Sequence, residues 1–324
     1  MSIRKTLFAL TALLFTGLPC QAWNSTGHEI VAQVAYDNLP ADARDKIVAA
    51  LKFHPRYKQD LLLGMVNGED LDRAIFLRAA TWPDMVRYPT NPLNHTENHP
   101  RWHYVDYPYE LDGVKGQEVH DKWDGKSDPE NLLQAMQKAL TELADPKTPP
   151  ARQAIDICWV EHLIGDIHQP LHAVSIFDKQ YPNGDRGGNS ELIETSAGVS
   201  EPLHTFWDGA EGLSLDPAQI RKIADRIEQE HPASEFKDQM AKDPDVESWA
   251  KESLELARTT VYQEGKLPHA VTGQFADQQP PAPELPPGYE AAAVKLADQR
   301  IALAGYRLEA QLEVIAKELP DATK

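Results

Sequence analysis

The segment from 162 to 172, HLIGDIHQPLH, is the feature that most restricts what this chain can fold into. His162 and Asp166 are four residues apart, which places two side chains on one face of a helix, about one turn apart. Pro170 cannot continue a helix, so we expect the helix to end just before it and His172 to follow in the next turn. The segment therefore predicts a helix that carries an imidazole and a carboxylate on one face, with a second imidazole beyond its end.

The remainder of the chain offers five more side chains of the same chemistry, namely His204, Asp208, Asp84, His103 and His28. A lone His-x3-Asp pair on a helix is usually a surface or capping interaction. Here two such pairs occur, since His204 and Asp208 repeat the four-residue spacing. Imidazole and carboxylate groups bind zinc, but five imidazoles and three carboxylates are too many for one tetrahedral site. The sequence therefore predicts a cluster of zinc ions, and with it an enzyme instead of a merely zinc-stabilised fold.

Residues 1–22 have the features of a secretory signal peptide. Two basic residues precede an apolar run from 7 to 18, which is too short to span a bilayer. Small residues before the predicted cleavage point suit a cut after Ala22, which would make Trp23 the mature N-terminus. The alternative is a lipoprotein modified at Cys20, and Gly17 disfavours it because a leucine is usual at that position. We expect a secreted protein, periplasmic or extracellular, with residues 23–324 forming one domain.

The charge and the cysteines limit the function further. Removal of Arg4 and Lys5 with the signal peptide changes the formal net charge from −18 to −20. Such an acidic charge argues against a protein that binds duplex nucleic acid by charge neutralisation, which needs a basic surface, but it does not exclude phosphate chemistry at a metal site. Cys158 would be the only cysteine left, so no intrachain disulfide can form. We expect its thiol to be buried and inert.

The hydrophobic pattern predicts an all-α fold with long loops at 84–128 and 173–203. Thr26 and Glu29 have the spacing of a capping box at the start of the first helix. Strand signals are confined to short pieces near 104–105 and 192–193, so we expect at most a short hairpin. Helical patterns cover about 27–38, 41–52, 69–80, 129–143, 150–169, 216–229, 246–262 and 286–318.

A set of spaced motifs extends over nearly the whole mature chain. They are Trp23-Asn24-Ser25-Thr26-Gly27-His28, Trp82-Pro83-Asp84, Trp102-His103-Tyr104-Val105-Asp106, His162 to His172, Leu203-His204-x-x-Trp207-Asp208 and the helix around 299–308. In this order they resemble the S1/P1 nucleases. The resemblance implies secreted, mainly helical enzymes with three zinc ions that cleave single-stranded DNA and RNA to 5′-mononucleotides. It also implies 3′-nucleotidase activity, nucleotides as substrates, no stable protein partner and no membrane span.

The resemblance implies three zinc sites that together use nine residues. Asp84, His103, His162 and Asp166 match the ligands of the first zinc. The second zinc would be held by His172, His204 and Asp208. The third would be held by His28, by Asp166 as a bridging carboxylate, and by the amino nitrogen and carbonyl oxygen of Trp23. An α-amino group has an ordinary pKa near 8, so a metal deprotonates it readily, but it exists only after the signal peptide has been removed.

The resemblance also implies a mechanism. A zinc-activated hydroxide would attack phosphorus in line, with Asp84 orienting it or accepting its proton and the third zinc stabilising the departing 3′ oxygen. Arg87 matches a basic position that would stabilise charge on the phosphate. Tyr104 and Asp106 match a nucleobase pocket, in which a ring stacks on a base and a carboxylate accepts hydrogen bonds from its edge. Asn189, after two glycines, would approach the substrate.

Two other functions remain open at this point. A zinc-dependent phospholipase C shares the three-zinc scaffold and the N-terminal tryptophan, but it would be expected to have glutamate where this chain has Asp208. A secreted helical protein that binds zinc without catalysis would be favoured by a broken ligand set, and none of the positions is substituted here. One departure concerns the second zinc site, where Pro202-Leu203 replaces the family's usual Asn-Leu before the histidine.

Overall fold

The computed structural model describes residues 23–62, 70–214, 216–272 and 279–319. The predicted signal peptide, with Cys20 and the cut after Ala22, lies outside these residues. None of the helices within the described ranges has both the length and the apolar character needed to cross a membrane. The described ranges contain eleven α-helices: α1 (Ser25–Asn38), α2 (Ala41–Leu51), α3 (Leu71–Met85), α4 (Asn94–Glu97), α5 (Leu132–Ala144), α6 (Pro150–His168), α7 (Leu203–Asp208), α8 (Pro217–Glu230), α9 (Lys237–Lys242), α10 (Val246–Leu256) and α11 (Tyr289–Glu318).

The mainly helical fold class is confirmed, and each of the eight predicted helices is present. One difference is at the end of α3, which continues through Pro83 to Met85 and so includes Asp84. Helix α10 ends at Leu256 and is followed by a π turn, so the predicted helix to 262 changes its winding there. Short 3₁₀ turns at Pro100–His103 and Pro170–Ala173 carry two of the predicted histidines.

The predicted capping box at Thr26 is wrong. The N-cap of α1 is Asn24, whose side-chain oxygen accepts a hydrogen bond from the amide of Gly27 at 3.1 Å. The Thr26 hydroxyl instead donates to the carbonyl of Ser214 at 2.9 Å and accepts from the Ser214 amide at 2.7 Å. The helix therefore begins one residue before Thr26, and this hydroxyl fixes the loop after α7 instead of the helix end.

Helix α6 lies at the centre of the helical core. Every residue from Gln153 to His168 is buried, because α2, α3, α5, α10 and α11 all pack around it. Helix α1 packs against both α3 and α11. Its approach to α11 requires Gly305, because a Cβ there would lie 2.5 Å from the Cβ of Val34. The bundle thus brings segments from distant parts of the sequence against the buried face of α6.

Two small sheets lie beside the bundle and exceed the single hairpin expected. Strands β1 (Tyr107–Glu110) and β2 (Val174–Phe177) form a parallel pair, whereas β3 (Glu191–Glu194) pairs antiparallel with β4 (Ser200–Pro202) and β5 (Ala270–Val271). The strand near 192–193 is confirmed, but the one near 104–105 begins only at Tyr107. Just before the parallel pair, the Val105 amide bonds to the carbonyl of His172 at 2.7 Å, which brings the two histidine-bearing turns together.

Candidate metal centre

Asp166 lies in the middle of the first group of predicted ligands. Its Oδ1 is 3.2 Å from Nε2 of His28 on α1. Its Oδ2 is 3.2 Å from Nδ1 of His103 and 3.3 Å from Nε2 of His162. All four side chains are buried. One oxygen of the Asp166 carboxylate therefore faces His28, and the other faces His103 and His162.

Gly165 lets α1 and α6 approach closely enough to form this group. A Cβ at residue 165 would lie 2.7 Å from Nδ1 of His28, so any other residue would displace that imidazole. With glycine there, the rings of His28 and His162 stack with their centroids 3.9 Å apart. No local sequence pattern indicates the role of Gly165, because this role depends on a neighbour from another helix.

Asp84 and Arg87 complete the first group from the C-terminal end of α3. Asp84 lies close to His103 and His162, with ligand atoms mutually within 4.8 Å. Nη1 of Arg87 donates to Oδ1 of Asp84 at 3.2 Å, and both side chains are largely buried. Oδ2 of Asp84 is buried without a hydrogen-bond partner among the described residues. A buried acceptor without a donor is costly, so this atom is suited to a cation.

His172, His204 and Asp208 form the second group. The Nε2 atoms of the two histidines are 3.0 Å apart, and Nε2 of His204 is 3.5 Å from Oδ2 of Asp208. Asp208 is oriented by Gln169, whose Nε2 donates to Oδ1 at 2.7 Å. Pro202 ends β4 and precedes α7, and both ligands of α7 remain in the group despite it.

The hydrogen bonds to the second group fix which nitrogen of each ring carries the proton. Nδ1 of His172 bonds to the carbonyl of His103 at 2.5 Å, and Nδ1 of His204 bonds to the carbonyl of Gly187 at 2.6 Å. A carbonyl can only accept, so each Nδ1 is a donor and each neutral ring keeps its lone pair on Nε2. The two lone pairs then face each other at 3.0 Å. Two nitrogens bound to one tetrahedral zinc at about 2.1 Å would be about 3.4 Å apart, so this arrangement fits a bound metal.

The imidazoles are held in the form that binds metals. Burial, together with repulsion between neighbouring imidazoles, lowers the pKa values of His28, His103 and His172 well below the ordinary value. Burial also lowers the pKa of His162. Neutral imidazole is the metal ligand, so no proton has to be removed at physiological pH before a metal binds.

Trp23 is fully buried at the start of the described chain. It packs over Gly27, where a Cβ would lie 2.6 Å from the Trp23 Cβ. The amide of Asn24 donates to the carbonyl of Asp208 at 3.0 Å. Trp23 therefore lies between the first turn of α1, which carries His28, and the end of α7.

A cavity of about 110 Å³ opens beside the second group. Its wall contains all three residues that were predicted to bind substrate. It also contains His204 of the second group and one cation that the sequence analysis did not select, Arg186. The lining residues are Tyr104, Asp106, Leu171, Arg186, Asn189 and His204.

The loop that supplies Asn189 is organised by Asp185, which is fully buried. Its Oδ1 accepts hydrogen bonds from the amides of Ile176 and Gly187, and its Oδ2 accepts from the Gly188 amide and the Tyr262 hydroxyl. Residue 187 has to be a glycine, since φ is +59° and a Cβ would lie 2.4 Å from the carbonyl oxygen of Leu171. Asp185 thus holds the carbonyl that orients His204.

Two other side chains of α6 are structural, and the burial of Cys158 is as expected. His168 donates through Nδ1 to the carbonyl of Ile164 at 2.7 Å, and its Nε2 accepts from Arg307 at 2.9 Å. Cys158 is buried, and burial raises the pKa of its thiol well above the ordinary value. Neither belongs to a group of candidate ligands within the described residues.

Comparison with known proteins identifies the family. Residues 23–317 match the family model described as S1/P1 Nuclease. Nuclease S1 of Aspergillus oryzae is 25% identical over 323 residues, covering 91% of this chain and 92% of that protein. Endonuclease 2 of Arabidopsis thaliana is 24% identical over 205 residues, covering 60% of this chain and 58% of that protein. This chain belongs to the S1/P1 nuclease family and is a nuclease.

Proposed function

We propose that the protein hydrolyses single-stranded DNA and RNA to 5′-mononucleotides with three bound zinc ions, and that it also acts as a 3′-nucleotidase. One observation carries this proposal. The two groups of buried candidate ligands adjoin, and the second shares His204 with the wall of a cavity that offers an aromatic ring and a carboxylate. A zinc-stabilised fold without catalysis would have no need for such a cavity beside its ligands.

The proposed metal sites are those implied by the resemblance. His103, His162, Asp84 and Asp166 would hold the first zinc, and His172, His204 and Asp208 the second. Bound zinc activates water and polarises phosphoryl oxygens. Asp84 would orient the attacking water and accept its proton, since its Oδ2 has no donor among the described residues. Arg87 would place its guanidinium on a non-bridging oxygen of the scissile phosphate, where negative charge develops.

The third site would form only in the mature protein. His28 and Asp166 supply the side-chain ligands, and Trp23 would supply its amino nitrogen and carbonyl oxygen. Two features support this, the burial of Trp23 over Gly27 and the 3.2 Å separation of His28 Nε2 from Asp166 Oδ1. We propose cleavage after Ala22, secretion to the periplasm or the exterior, and a single domain from 23 to 324. Signal removal would then complete the site.

The cavity would select unpaired bases. Tyr104 would stack on a base, Asp106 would accept hydrogen bonds from its edge, and Asn189 would contact the substrate beside them. Stacking tolerates any base but needs one that is not paired in a duplex. This accounts for a preference for single strands without a preference for sequence.

The test uses the secreted protein with its metal content and N-terminus determined. Single-stranded DNA, RNA and phosphatidylcholine are incubated with it, with and without EDTA, and zinc is then restored. We expect EDTA-sensitive release of 5′-nucleotides from both nucleic acids and none from the lipid. Release of phosphocholine alone would identify a phospholipase C. A matched protein that retains Ala22 before Trp23 should keep its helix content but lose one zinc.

A further inference from the structure

Arg186 is an exposed cation in the wall of the cavity beside the metal centre. Its guanidinium has no ion pair or hydrogen bond with any residue that the structure describes. The other arginine of the site, Arg87, is bonded to Asp84. Asp106 in the same cavity interacts with the charge of Arg186, but no described carboxylate is hydrogen-bonded to the guanidinium, so its donors are available for an anion.

The backbone around Arg186 is fixed. Its φ of +63° lies in the left-handed region, which a residue other than glycine adopts only when its surroundings impose it. Its amide donates to the hydroxyl of Ser175 at 3.2 Å, and its carbonyl accepts from the side chain of Asn189 at 2.8 Å. Asp185, with its own set of hydrogen bonds, precedes it. The guanidinium is therefore presented from a rigid loop while its own donors stay available.

The rest of the cavity limits which anion this is. The scissile phosphate would already be bound by Arg87 and the zinc ions, and Tyr104 with Asp106 would bind the base. The next anion along a strand is the phosphate on the 5′ side of the nucleoside whose base is bound. A guanidinium forms paired hydrogen bonds with phosphate, which makes arginine the side chain best suited to bind it.

We propose that Arg186 forms a phosphate-binding subsite for this 5′ phosphate, and that it makes the enzyme favour strands over minimal substrates. The proposal rests on the proposed function, because it requires the base to occupy the cavity. Arg186 would thus bind the substrate without contacting the atoms that react. Its removal should therefore weaken binding of long substrates and leave the chemical step intact.

The test compares two substrates that share one scissile bond, a dinucleoside monophosphate and the same molecule with a 5′ phosphate. For the wild-type enzyme we expect kcat/KM to be about tenfold higher with the 5′ phosphate, as for a charge-assisted hydrogen bond. Arg186→Gln should abolish this difference through KM and leave the unphosphorylated substrate unaffected. Arg186→Lys should restore part of it. With oligonucleotides, the slope of log KM against log salt should fall by about 0.7 in Arg186→Gln, as for one lost phosphate contact.

Lys179→Gln is the matched control, since Lys179 is an exposed cation of the same loop that does not line the cavity. Arg186→Gly, which relieves the positive φ, is the second variant if the glutamine destabilises the loop. Equal kcat/KM of the wild type on the two dinucleotides, or an equal loss on both in Arg186→Gln and Arg186→Gly, would overturn the proposal. Failure of the wild type to cleave any single strand would refute the proposed function instead.

Discussion

Two polar clusters lie beside the second half of α6, and they differ in whether protein groups replace the hydrogen bonds that water would make. The metal centre gathers His162 and Asp166 with other imidazoles and carboxylates, and Arg87 contacts one of its acids, Asp84. The second cluster surrounds His168, two residues after Asp166, and we call it the arginine cluster. It consists of His168, Glu252, Ser253, Arg300 and Arg307.

The arginine cluster supplies its own charges. Arg307 binds both oxygens of Glu252 at 2.7 Å, and Arg300 binds one of them at 3.1 Å. The lone pair on Nε2 of His168 accepts from Arg307, and Ser253 links Arg300 to the carbonyl of Ile167. Both nitrogens of His168 are therefore hydrogen-bonded, Nε2 as an acceptor from Arg307 and Nδ1 as a donor to the carbonyl of Ile164.

In the metal centre the corresponding lone pairs face each other or carboxylate oxygens. Nε2 of His172 and Nε2 of His204 are 3.0 Å apart, and Oδ2 of Asp84 has no donor among the described residues. A buried acceptor without a donor, such as Oδ2 of Asp84, costs more free energy than a typical hydrogen bond contributes. The difference between the clusters therefore marks one as a site for added cations and the other as part of the fold.

The largest effect should come from Asp166→Asn, which removes the carboxylate that is proposed to bind both the first and the third zinc. We expect zinc content to fall and nuclease activity to drop well beyond the 10- to 100-fold typical of groups that only support a ligand. Metal analysis and kcat/KM on single-stranded DNA measure this. Glu252→Gln, which removes a buried charge but no candidate ligand, is the control. An Asp166→Asn protein with full zinc and normal activity would show that Asp166 is not shared.

The reciprocal change, Glu252→Gln, should damage stability and spare zinc binding. It leaves Arg300 and Arg307 buried without their carboxylate, which should cost about 3 kcal/mol in the free energy of unfolding. Burial alone would raise the pKa of Glu252, but the hydrogen bond from Arg307 and the charges of both arginines lower it from 4.5 to about 2. A carboxyl with a lowered pKa stabilises the fold above its unfolded pKa, and this contribution is lost as the pH falls toward 2.

Urea unfolding of wild type and Glu252→Gln at neutral and acidic pH tests this assignment. The difference between them should be complete at pH values above 4.5 and should shrink as the pH falls toward 2. A difference that grows in acid would contradict the sign. Loss of zinc in the variant would show that the two clusters are not independent.

Removal of the metal by chelation should also separate the two clusters. With free zinc about 100-fold above the dissociation constant, bound metal adds about 2.7 kcal/mol to the stability of the folded state. EDTA should therefore lower the thermal midpoint of the wild type and of Glu252→Gln by similar amounts. Asp166→Asn should show a smaller shift. An EDTA-insensitive midpoint in the wild type would mean that metal does not stabilise the fold.

The sequence predicts which candidate ligands share a helix face better than it predicts what positions them. His162 and Asp166 follow from the helical period of α6, and His204 and Asp208 have the same spacing on α7, a short helix that was not among those predicted. The end of α6 before Pro170 is confirmed as well. Residues whose motifs matched a family, such as Tyr104 and Asn189, lie on one cavity as the resemblance implied.

The supporting residues could not be found in this way. Gly165 matters because His28 comes from another helix, and Asp185 matters because its acceptors meet donors from residues 176, 187, 188 and 262. The parallel pairing of β1 with β2 joins segments more than sixty residues apart, so no local sequence pattern predicts it. Thr26 illustrates the reverse case. Its local sequence pattern predicts a helix cap, but its hydroxyl forms a tertiary hydrogen bond with Ser214 instead.

The smallest effect should come from Gln169→Leu, which removes one support of a ligand without removing the ligand. Nε2 of Gln169 donates to Asp208, and its Oε1 accepts from the Leu171 amide at 2.6 Å. A lost support of this kind costs about 10-fold in metal affinity or activity at the lower end of the usual range, because Asp208 itself remains. Ser253→Ala is the matched control, since it removes one hydrogen-bonding group of the arginine cluster. It should cost about 1 kcal/mol of stability and leave zinc affinity unchanged. Zinc titration and thermal unfolding of the two variants should thus give opposite profiles, and a loss of zinc affinity in Ser253→Ala would break the distinction between the clusters.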